Sequence, residues 1–376
     1  MVFLRALVGT ARMIHHTPRL AVGLPPDDQV VLEAPDDRLG PALTAAGRGD
    51  HRPAARLLAM TREAGEWESR DHYTSQLVRL VPAGRSDWLR AWLSAAPRDP
   101  DAALLRAGVA VRRAEDRSRG EDSAGATKDS AALPLVEAAA EASPRDPVPW
   151  RLALDRARST GAPPAEFESY WSEAVKRAPH HYGCHLAALR YRGADCPAAE
   201  DRPRPHLEAD LTGRQPWSGG GRITGAAPTA PGGSGGGCPT RHDCLGFAER
   251  AAEQALPGSL LRALPLRAVF HHLATVPVRR TDAAADLAIA LSSRYAPGDL
   301  WPAEARNLLV FLLIHRGRWQ AALDQFRLLG PCATAFPWNR ISDDPLGQFL
   351  EARDGTRIQV AAMTPLRPAR SADRQD

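Results

Sequence analysis

Cysteine and histidine, two residue types that bind zinc, come close together in two short stretches of this sequence. Cys238, His242 and Cys244 lie within seven residues of one another, and Cys184 is followed directly by His185. Neither stretch has the Cys-x-x-Cys spacing of a common zinc site, and the first adjoins a glycine-rich segment. We therefore predict no metal ligand among these residues and no bound cofactor.

The cysteine content as a whole indicates reduced thiols. The number is odd, the spacing is uneven, and the chain is too long to need disulfide bonds for stability. We therefore predict a cytoplasmic protein. The five cysteines are Cys184, Cys196, Cys238, Cys244 and Cys332.

Adjacent histidines occur at positions 15–16, 180–181 and 271–272, but acid–base catalysis needs a positioned partner group beside the imidazole. The second pair follows Pro179 and is expected to begin a helix, and the third is expected on a helix face. The chain has no Gly-x-Ser-x-Gly elbow, no cysteine-protease signature and no His-Glu-x-x-His helix. We predict no catalytic residue and no enzyme activity.

Charge and hydropathy exclude two classes of partner. The 48 Lys and Arg residues and 44 Asp and Glu residues give a net charge of +4, which is too dilute for a nucleic-acid-binding surface. Arg5 and Arg12 interrupt the apolar N-terminal stretch, so it lacks the core of a signal peptide. The longest aliphatic run, Leu308 to Ile314, has seven residues, whereas a membrane span needs about 20. We expect neither a nucleic-acid nor a membrane partner.

Helical periodicity is the strongest structural signal in the sequence. One apolar stripe begins at Phe167, continues at three- and four-residue steps, and ends before Pro179. Similar patterns cover 88–96, 244–255 and 284–295, the last with Thr281 or Asp282 as its N-cap. No stretch alternates with a period of two, so we predict almost no sheet. The first stripe consists of Phe167, Tyr170, Trp171, Ala174, Val175 and Ala178.

Helix-ending prolines recur at intervals typical of helical repeats. Pro97 and Pro144 are 47 residues apart, and Pro144 and Pro179 are 35 residues apart, close to the tetratricopeptide period of about 34. The first two begin the same four residues, Pro-Arg-Asp-Pro. A polar stretch at 114–130 explains the longer interval and is predicted to be a loop. These corners indicate repeated helix pairs.

Near the C-terminus, Gly317, Trp319, Ala322 and Phe326 fit the turn and second helix of a tetratricopeptide hairpin. A weaker copy follows Gly49. Together with the spacing of the prolines, they predict an all-α fold: a tetratricopeptide-like α-solenoid of stacked antiparallel helix pairs with long flexible loops.

Composition divides the chain into parts. Ten of the 25 residues from 213 to 237 are glycine and three are proline, which predicts a disordered loop. The predicted parts are an N-terminal, partly helical segment at 1–66, helical repeats at 67–200, a Gly/Pro-rich loop or insertion at 201–240, further repeats at 241–350, and a C-terminal tail at 351–376.

Several segments resemble a family of bacterial proteins known as a domain of unknown function with tetratricopeptide-like helices. The segments are Asp-Pro-Val-Pro-Trp at 146–150, the stretch from Trp171 to Tyr191, and the stretch from Phe247 to Phe270. The resemblance covers roughly residues 70 to 330, implies an all-helical fold and assigns no activity. It departs at 192–243, which we interpret as an insertion or a shifted reading frame, and we expect the flanking helices to pack together.

Helical-repeat proteins commonly present an extended surface to other proteins. We therefore expect a scaffold or adaptor that binds a protein partner. The alternatives are a small-molecule sensor with one closed apolar pocket and an unrecognised enzyme with converging ionisable groups in a cleft. Most tryptophans fall on apolar stripes or at helix starts and are expected in the core, with some available to a partner: Trp88, Trp92, Trp150, Trp171, Trp301 and Trp319.

Overall fold

α-Helices make up most of the chain described by this computed structural model, which covers residues 19–34, 36–81, 87–119, 131–193, 241–273 and 275–365. Fifteen α-helices lie within these ranges, which confirms the prediction of an all-α fold. They are α1 Leu39–Gly47, α2 Arg52–Ala64, α3 Trp67–Arg79, α4 Asp87–Ala95, α5 Pro100–Arg119, α6 Ala132–Ala142, α7 Val148–Thr160, α8 Pro164–Arg177, α9 Tyr182–Arg192, α10 Arg241–Gln254, α11 Leu264–His271, α12 Val278–Ser292, α13 Ala303–His315, α14 Trp319–Leu329 and α15 Pro345–Met363.

Extended structure is minimal in these ranges. Strand β1, Val31–Leu32, pairs in parallel with strand β2, Cys332–Ala333. Three short 3₁₀ turns complete the regular elements, at Asp27–Gln29, Leu260–Ala263 and Trp338–Arg340. None of the described helices combines the length and the apolar character needed to cross a membrane.

The described residues form two compact units. The central unit contains 36–193 and 241–273, and the terminal unit contains 19–34 and 275–365. This division differs from the predicted one, in which 1–66 formed a separate segment. Residues 19–34 group with the C-terminal helices because β1 pairs with β2. Helices α1 and α2 instead pack into the same core as α3 to α5.

Glycine closes the turn inside several helix pairs. Gly65, Gly161 and Gly317 follow α2, α7 and α13 with φ angles of 70°, 60° and 67°. Only glycine enters this left-handed region without a steric penalty, so it ends a helix and reverses the chain in a few residues. In each case the helix packs against the next one. Two packed helices joined by so short a turn must run in opposite directions.

A second kind of corner separates one pair from the next. Two residues after a helix-ending proline, a side chain accepts a hydrogen bond from a backbone amide of the following turn or helix, as an N-cap does. The sequence predicted this corner where the Pro-Arg-Asp-Pro motif recurs, and the structure repeats it with other residue types. The acceptors and donors are Asp99 with Asp101 and Ala102, Asp146 with Val148, His181 with Cys184, Ser259 with Leu261, and Asp299 with Trp301.

The central unit is built on a row of alternate helices. α5 packs against α7, and α7 against α9, in addition to their neighbours in sequence. The core around these helices includes Leu104 of α5, Leu152 of α7 and Phe167 of α8, each at most 3% exposed. Fully burying such a side chain stabilises the fold by roughly 1.5 to 3 kcal/mol.

Two predicted helix boundaries are wrong by several residues. α5 continues to Arg119, so the predicted loop at 114–130 begins later. The extension buries Ala114, and Glu115 pairs with Arg158 of α7 at 3.4 Å. α12 begins at Val278, and the Thr281 hydroxyl bonds to the Pro277 carbonyl inside the first turn instead of capping the helix.

The C-terminal helix also differs from the prediction. α15 extends to Met363, so residues 351–363 are helical, whereas the sequence predicted a tail from 351. The Asp344 carboxylate caps this helix at the amide of Gly347, and Val360 and Ala361 are buried near its end. The predicted loop at 201–240 lies outside the described residues.

Candidate functional site

Helix α3 crosses the row formed by α5, α7 and α9, and Arg70 lies at the centre of the crossing. Its guanidinium donates to Asp101 at 2.6 Å, to Asp146 at 2.6 Å and to the Leu58 carbonyl at 2.8 Å. Arg70 and Asp146 are 0% exposed, and Asp101 is 2% exposed. Charges this deeply buried are tolerated only when paired and hydrogen-bonded.

Both carboxylates in this network have further partners. The other oxygen of Asp146 accepts from the Val148 amide, and Asp101 also accepts from Arg62 at 3.2 Å. Burial raises the pKa of Asp146 above its ordinary value, because it outweighs the opposing effect of Arg70. The network therefore joins α2, α3, α5 and the corner before α7 at one point.

A second group on α3 reaches α7. Asp71 pairs with Arg151 at 2.8 Å, and Arg151 also pairs with Asp155 at 2.7 Å. Arg151 lies 3.3 Å from the Ser75 hydroxyl, one turn further along α3. Consecutive turns of α3 are thus held by polar contacts with the row.

A side chain in the first turn of α3 accepts a hydrogen bond from a backbone amide at the N-terminus of α9. The Glu68 carboxylate accepts from the Tyr182 amide at 2.6 Å, and Asp71 occupies the space where Gly183 has no side chain. Exposed amides and the helix dipole make this end favourable for anions. Burial nevertheless raises the pKa of Glu68, because it outweighs the His181 ring and the amide bonds that favour the carboxylate.

His181 caps α9 and contacts α3 at the same time. Its Nδ1 accepts from the Cys184 amide at 3.1 Å, and its Nε2 lies 3.2 Å from the Trp67 carbonyl oxygen. An acceptor role for Nδ1 requires the proton on Nε2, which then donates to the carbonyl. The predicted role of this histidine at a helix start is confirmed.

Glu68, His181 and Cys184 thus meet as the groups of a catalytic site would. The thiol is 1% exposed, its Sγ faces the Pro147 carbonyl at 3.8 Å, and burial raises its pKa. A buried thiol of raised pKa is a poor nucleophile. The hydrogen bonds of Glu68 and His181 serve helix ends, so we interpret this group as a structural capping centre.

Arg70 and its neighbours were missed in the sequence analysis, although a signal was present. Arg70 stands on the same helical stripe as Tyr73, Thr74 and Leu77, all of which are buried. A charged residue within an apolar stripe indicates a buried partner. The identity of that partner depends on Asp101 and Asp146, which lie far along the chain.

A second candidate site is partly open to solvent. The ring centroid of Trp171 lies 4.9 Å from that of His185 and 5.7 Å from that of Phe247, and the His185 and Phe247 centroids are 5.9 Å apart. The Arg192 guanidinium lies 5.1 Å above the Phe247 ring. Trp171, Phe247 and Arg192 are half-buried. We call Trp171, His185, Arg192 and Phe247 the aromatic face.

His185 forms the buried base of the aromatic face. It is 7% exposed, and its Nδ1 lies 3.0 Å from the His181 carbonyl, to which it donates. Burial lowers the pKa of His185 to about 4, so the ring is neutral at pH 7. Arg192 closes one side through Glu168 at 3.0 Å.

The aromatic face depends on helices separated widely in sequence. α9 ends at Arg192 and α10 begins at Arg241, yet the two pack together. The expectation that the helices flanking 192–243 pack together is therefore confirmed. The interpretation of that stretch as an insertion or frame shift stays a prediction, because nearly all of it lies outside the described residues.

The remaining candidates from the sequence are not brought together into a site. Cys184, Cys244 and Cys332 are buried, whereas Cys196 and Cys238 lie outside the described residues. Within the described ranges, no three His, Cys, Asp or Glu residues are grouped so as to hold a metal ion. The expected core position is confirmed for Trp88 and Trp92, both 1% exposed. Trp150 and Trp171 are half-buried and pack against the core, and Trp301 and Trp319 are half-buried.

The terminal unit contains its own buried arginine, which uses a different set of partners. Arg306 is 1% exposed and donates to the hydroxyl and carbonyl of Ser292 and to the carbonyls of Tyr295, Ala296 and Leu328. These carbonyls lie at the ends of α12 and α14, where the helix dipole favours a cation. Burial lowers the pKa of Arg306.

Comparison with known proteins finds no matching family model, no matching curated protein and no matching solved structure. The resemblance to the bacterial helical family therefore stays a prediction. Functional assignment depends on the geometry of this chain alone.

Proposed function

We propose that this chain is a non-catalytic, cytoplasmic scaffold that binds a protein partner on a tetratricopeptide-like array of helix pairs. The observation that carries the proposal is the row of α5, α7 and α9, each followed by a second helix and separated by the same kind of corner. Stacked pairs of this kind build a continuous core and leave an extended surface for partners.

The partner surface is not the side of the row that α3 covers. On that side α3 contacts α5, α7, α9 or their corners through buried or partly buried side chains, namely Trp67, Arg70, Asp71 and Ser75. A peptide would have to displace a helix held by two buried ion pairs. Removing one partner of such a pair costs about 3 to 5 kcal/mol, so this side is closed to binding.

The aromatic face is the surface that fits a protein partner best. Half-exposed tryptophan, phenylalanine and arginine are the residue types that contribute most to binding at protein interfaces. Here Trp171 and Phe247 come from α8 and α10, so the face spans two consecutive pairs. The pairing of Arg192 with Glu168 leaves the face nearly neutral, which favours protein over nucleic acid.

Affinity capture from the native cells with three forms of the full chain tests the proposal. Ser172→Arg places a long side chain on the exposed side of α8 beside Trp171, and Thr160→Arg places the same side chain at the exposed end of α7. We expect a stoichiometric protein partner with the native chain and with Thr160→Arg, and at least tenfold less with Ser172→Arg.

Two results would contradict the proposal. Equal recovery of the partner by all three forms would exclude the aromatic face as the binding surface. Recovery of the native chain without any partner, at a mass-spectrometric sensitivity that detects the partners of other scaffolds, would exclude the scaffold function itself.

A further inference from the structure

A segment from the N-terminal part of the chain lies on the surface of the terminal unit, with a 3₁₀ turn at Asp27–Gln29 followed by strand β1. Residues 19–34, here called the strap, are separated from the rest of that unit by the whole central unit in sequence. Only Val30 is buried among the described residues of the strap, and Val22 and Val31 are 73% and 50% exposed. The strap therefore buries one side chain fully, leaves Leu20, Leu24 and Leu32 half-buried, and adds a set of polar contacts.

Most of these contacts are made to the strap's backbone. The Val31 amide donates to the Pro331 carbonyl at 2.8 Å, and the Glu33 amide donates to the Ala333 carbonyl at 2.9 Å. Arg327 of α14 donates to the carbonyls of Leu20 and Val22 at 3.4 and 3.1 Å. Backbone recognition of this kind accepts many sequences, as when a peptide adds a strand to a sheet edge.

Two side chains of the strap add selectivity. Val30 fills a buried position, and Asp27, three residues earlier, pairs with Arg353 of α15. Arg353 also donates to the Pro25 carbonyl at 3.0 Å. The Arg353 side chain is 3% exposed, and both of its hydrogen-bond partners among the described residues belong to the strap.

A buried cation whose partners all come from one surface peptide is typical of a binding site. A folding core normally pairs its buried charges internally, as Arg306 is paired with helix carbonyls in the same unit. Arg353 instead depends on a segment that buries one side chain.

We propose that the strap is a displaceable self-ligand, and that its site binds a segment of a partner protein in which an acidic residue begins a 3₁₀ turn and a buried aliphatic residue follows three positions later, before a short strand. The site consists of β2, Arg327, Arg353 and the Ala335 amide, which the Glu33 carboxylate of the strap also contacts at 2.8 Å. It lies in the terminal unit and does not depend on the aromatic face, so either proposal can fail alone.

Release of the strap in the full chain tests this site. Asp27→Ala removes the carboxylate from Arg353, and Val31→Pro removes the amide that bonds to Pro331. Val30 has φ −76° and ψ 126°, which is compatible with a following proline. The matched control is Asp28→Ala, which removes the neighbouring exposed carboxylate.

The probe is a labelled synthetic peptide of residues 19–34 with the native sequence, and binding is measured by fluorescence anisotropy. We expect the double variant to bind it at least tenfold more tightly than the native chain or Asp28→Ala. Adding Arg353→Ala to the double variant should abolish the gain. The peptide should also raise the melting temperature of the double variant alone, because a ligand stabilises the state that it binds.

Three outcomes would overturn the proposal. A double variant that keeps its helical circular dichroism but does not bind the peptide would show that no separable site exists. A double variant that loses cooperative unfolding would show that the strap is an obligatory part of the core. Concentration-dependent dimerisation of the native chain, abolished by Asp27→Ala/Val31→Pro, would assign the site to a second copy of this chain.

Discussion

Buried arginines connect helices in both units, and their positive charge is balanced in two ways. Arg70 is neutralised by Asp101 and Asp146, whereas Arg306 donates to a hydroxyl and to the carbonyls that helices leave unpaired at their ends. In both cases one guanidinium serves several elements, because its five donors form a rigid fork. Substituting either arginine removes several connections at once.

Arg70→Ala should lower the free energy of unfolding by about 3 to 5 kcal/mol, because two buried carboxylates lose their cation. Urea unfolding followed by circular dichroism measures the difference. The matched control is Arg106→Ala on the exposed side of α5, which should change the free energy by less than about 0.5 kcal/mol. Similar losses for both variants would contradict the central role of Arg70.

His185 should make stability depend on pH in the mildly acidic range. Its pKa is about 4 in the folded chain and about 6.5 when unfolded, so the folded state disfavours the proton. The stabilising contribution is complete above pH 6.5 and is lost as pH falls towards 4. The native chain should therefore lose about 2 to 3 kcal/mol more than His185→Phe between pH 7.5 and pH 4.5.

Urea unfolding of both forms at the two pH values measures this difference, and carboxylates that titrate in the same range cancel in the comparison. An equal loss in both forms would show that His185 stays neutral throughout or is freely solvated. The sequence placed His185 beside Cys184 as a possible ligand. Its actual surroundings depend on Trp171 and Phe247, which periodicity placed on separate helices without giving their contact.

At the scale of helices and corners, much of the fold could be predicted, because the information is local. The apolar stripe from Phe167 and the proline after it specify α8, and the repeated Pro-Arg-Asp-Pro corners specify where α5 and α7 begin. The spacing of Pro179 also predicted a corner before α9, but not its cap, because His181 replaces aspartate there. The hydrogen-bond geometry of the corner is repeated there, but the type of the capping residue is not.

Two glycines in helices should respond to alanine in opposite ways. At Gly183 a methyl group would overlap the Asp71 carboxylate, which Arg151 holds in place, so Gly183→Ala should destabilise the chain by about 1 to 3 kcal/mol. At Gly355, inside α15, the added group meets no atom within 4 Å. Gly355→Ala should therefore stabilise the chain by about 0.5 to 1 kcal/mol.

Equilibrium unfolding of the two variants and the native chain decides this prediction. A stabilising Gly183→Ala would show that α3 and α9 do not approach as closely as the capping of Tyr182 by Glu68 requires. Nothing in the local sequence singles out Gly183, because its constraint comes from Asp71, more than 100 positions away.

At the scale of the whole molecule, the two units predict separable stability. The partners of Arg70 all lie within the central unit. A fragment of residues 36–273 should therefore unfold cooperatively, and Arg70→Ala should cost it the same free energy as in the full chain, within about 0.5 kcal/mol. Thermal and urea unfolding of the fragment, with and without the substitution, provide the comparison. A fragment without a cooperative transition would show that the units are not independent.

The crossing of α3 over the row also sets an order for folding during synthesis. Arg70 is 31 residues from Asp101 and 76 from Asp146, and Glu68 is 114 residues from Tyr182. As the chain leaves the ribosome, α3 meets these partners one after another, and each new corner adds a contact to a helix that is already made. In a nascent chain that stalls before residue 181, α3 has its contacts with α5 and α7, but the Glu68 carboxylate still lacks its amide donor. Completion of α9 therefore supplies the last of these contacts to α3.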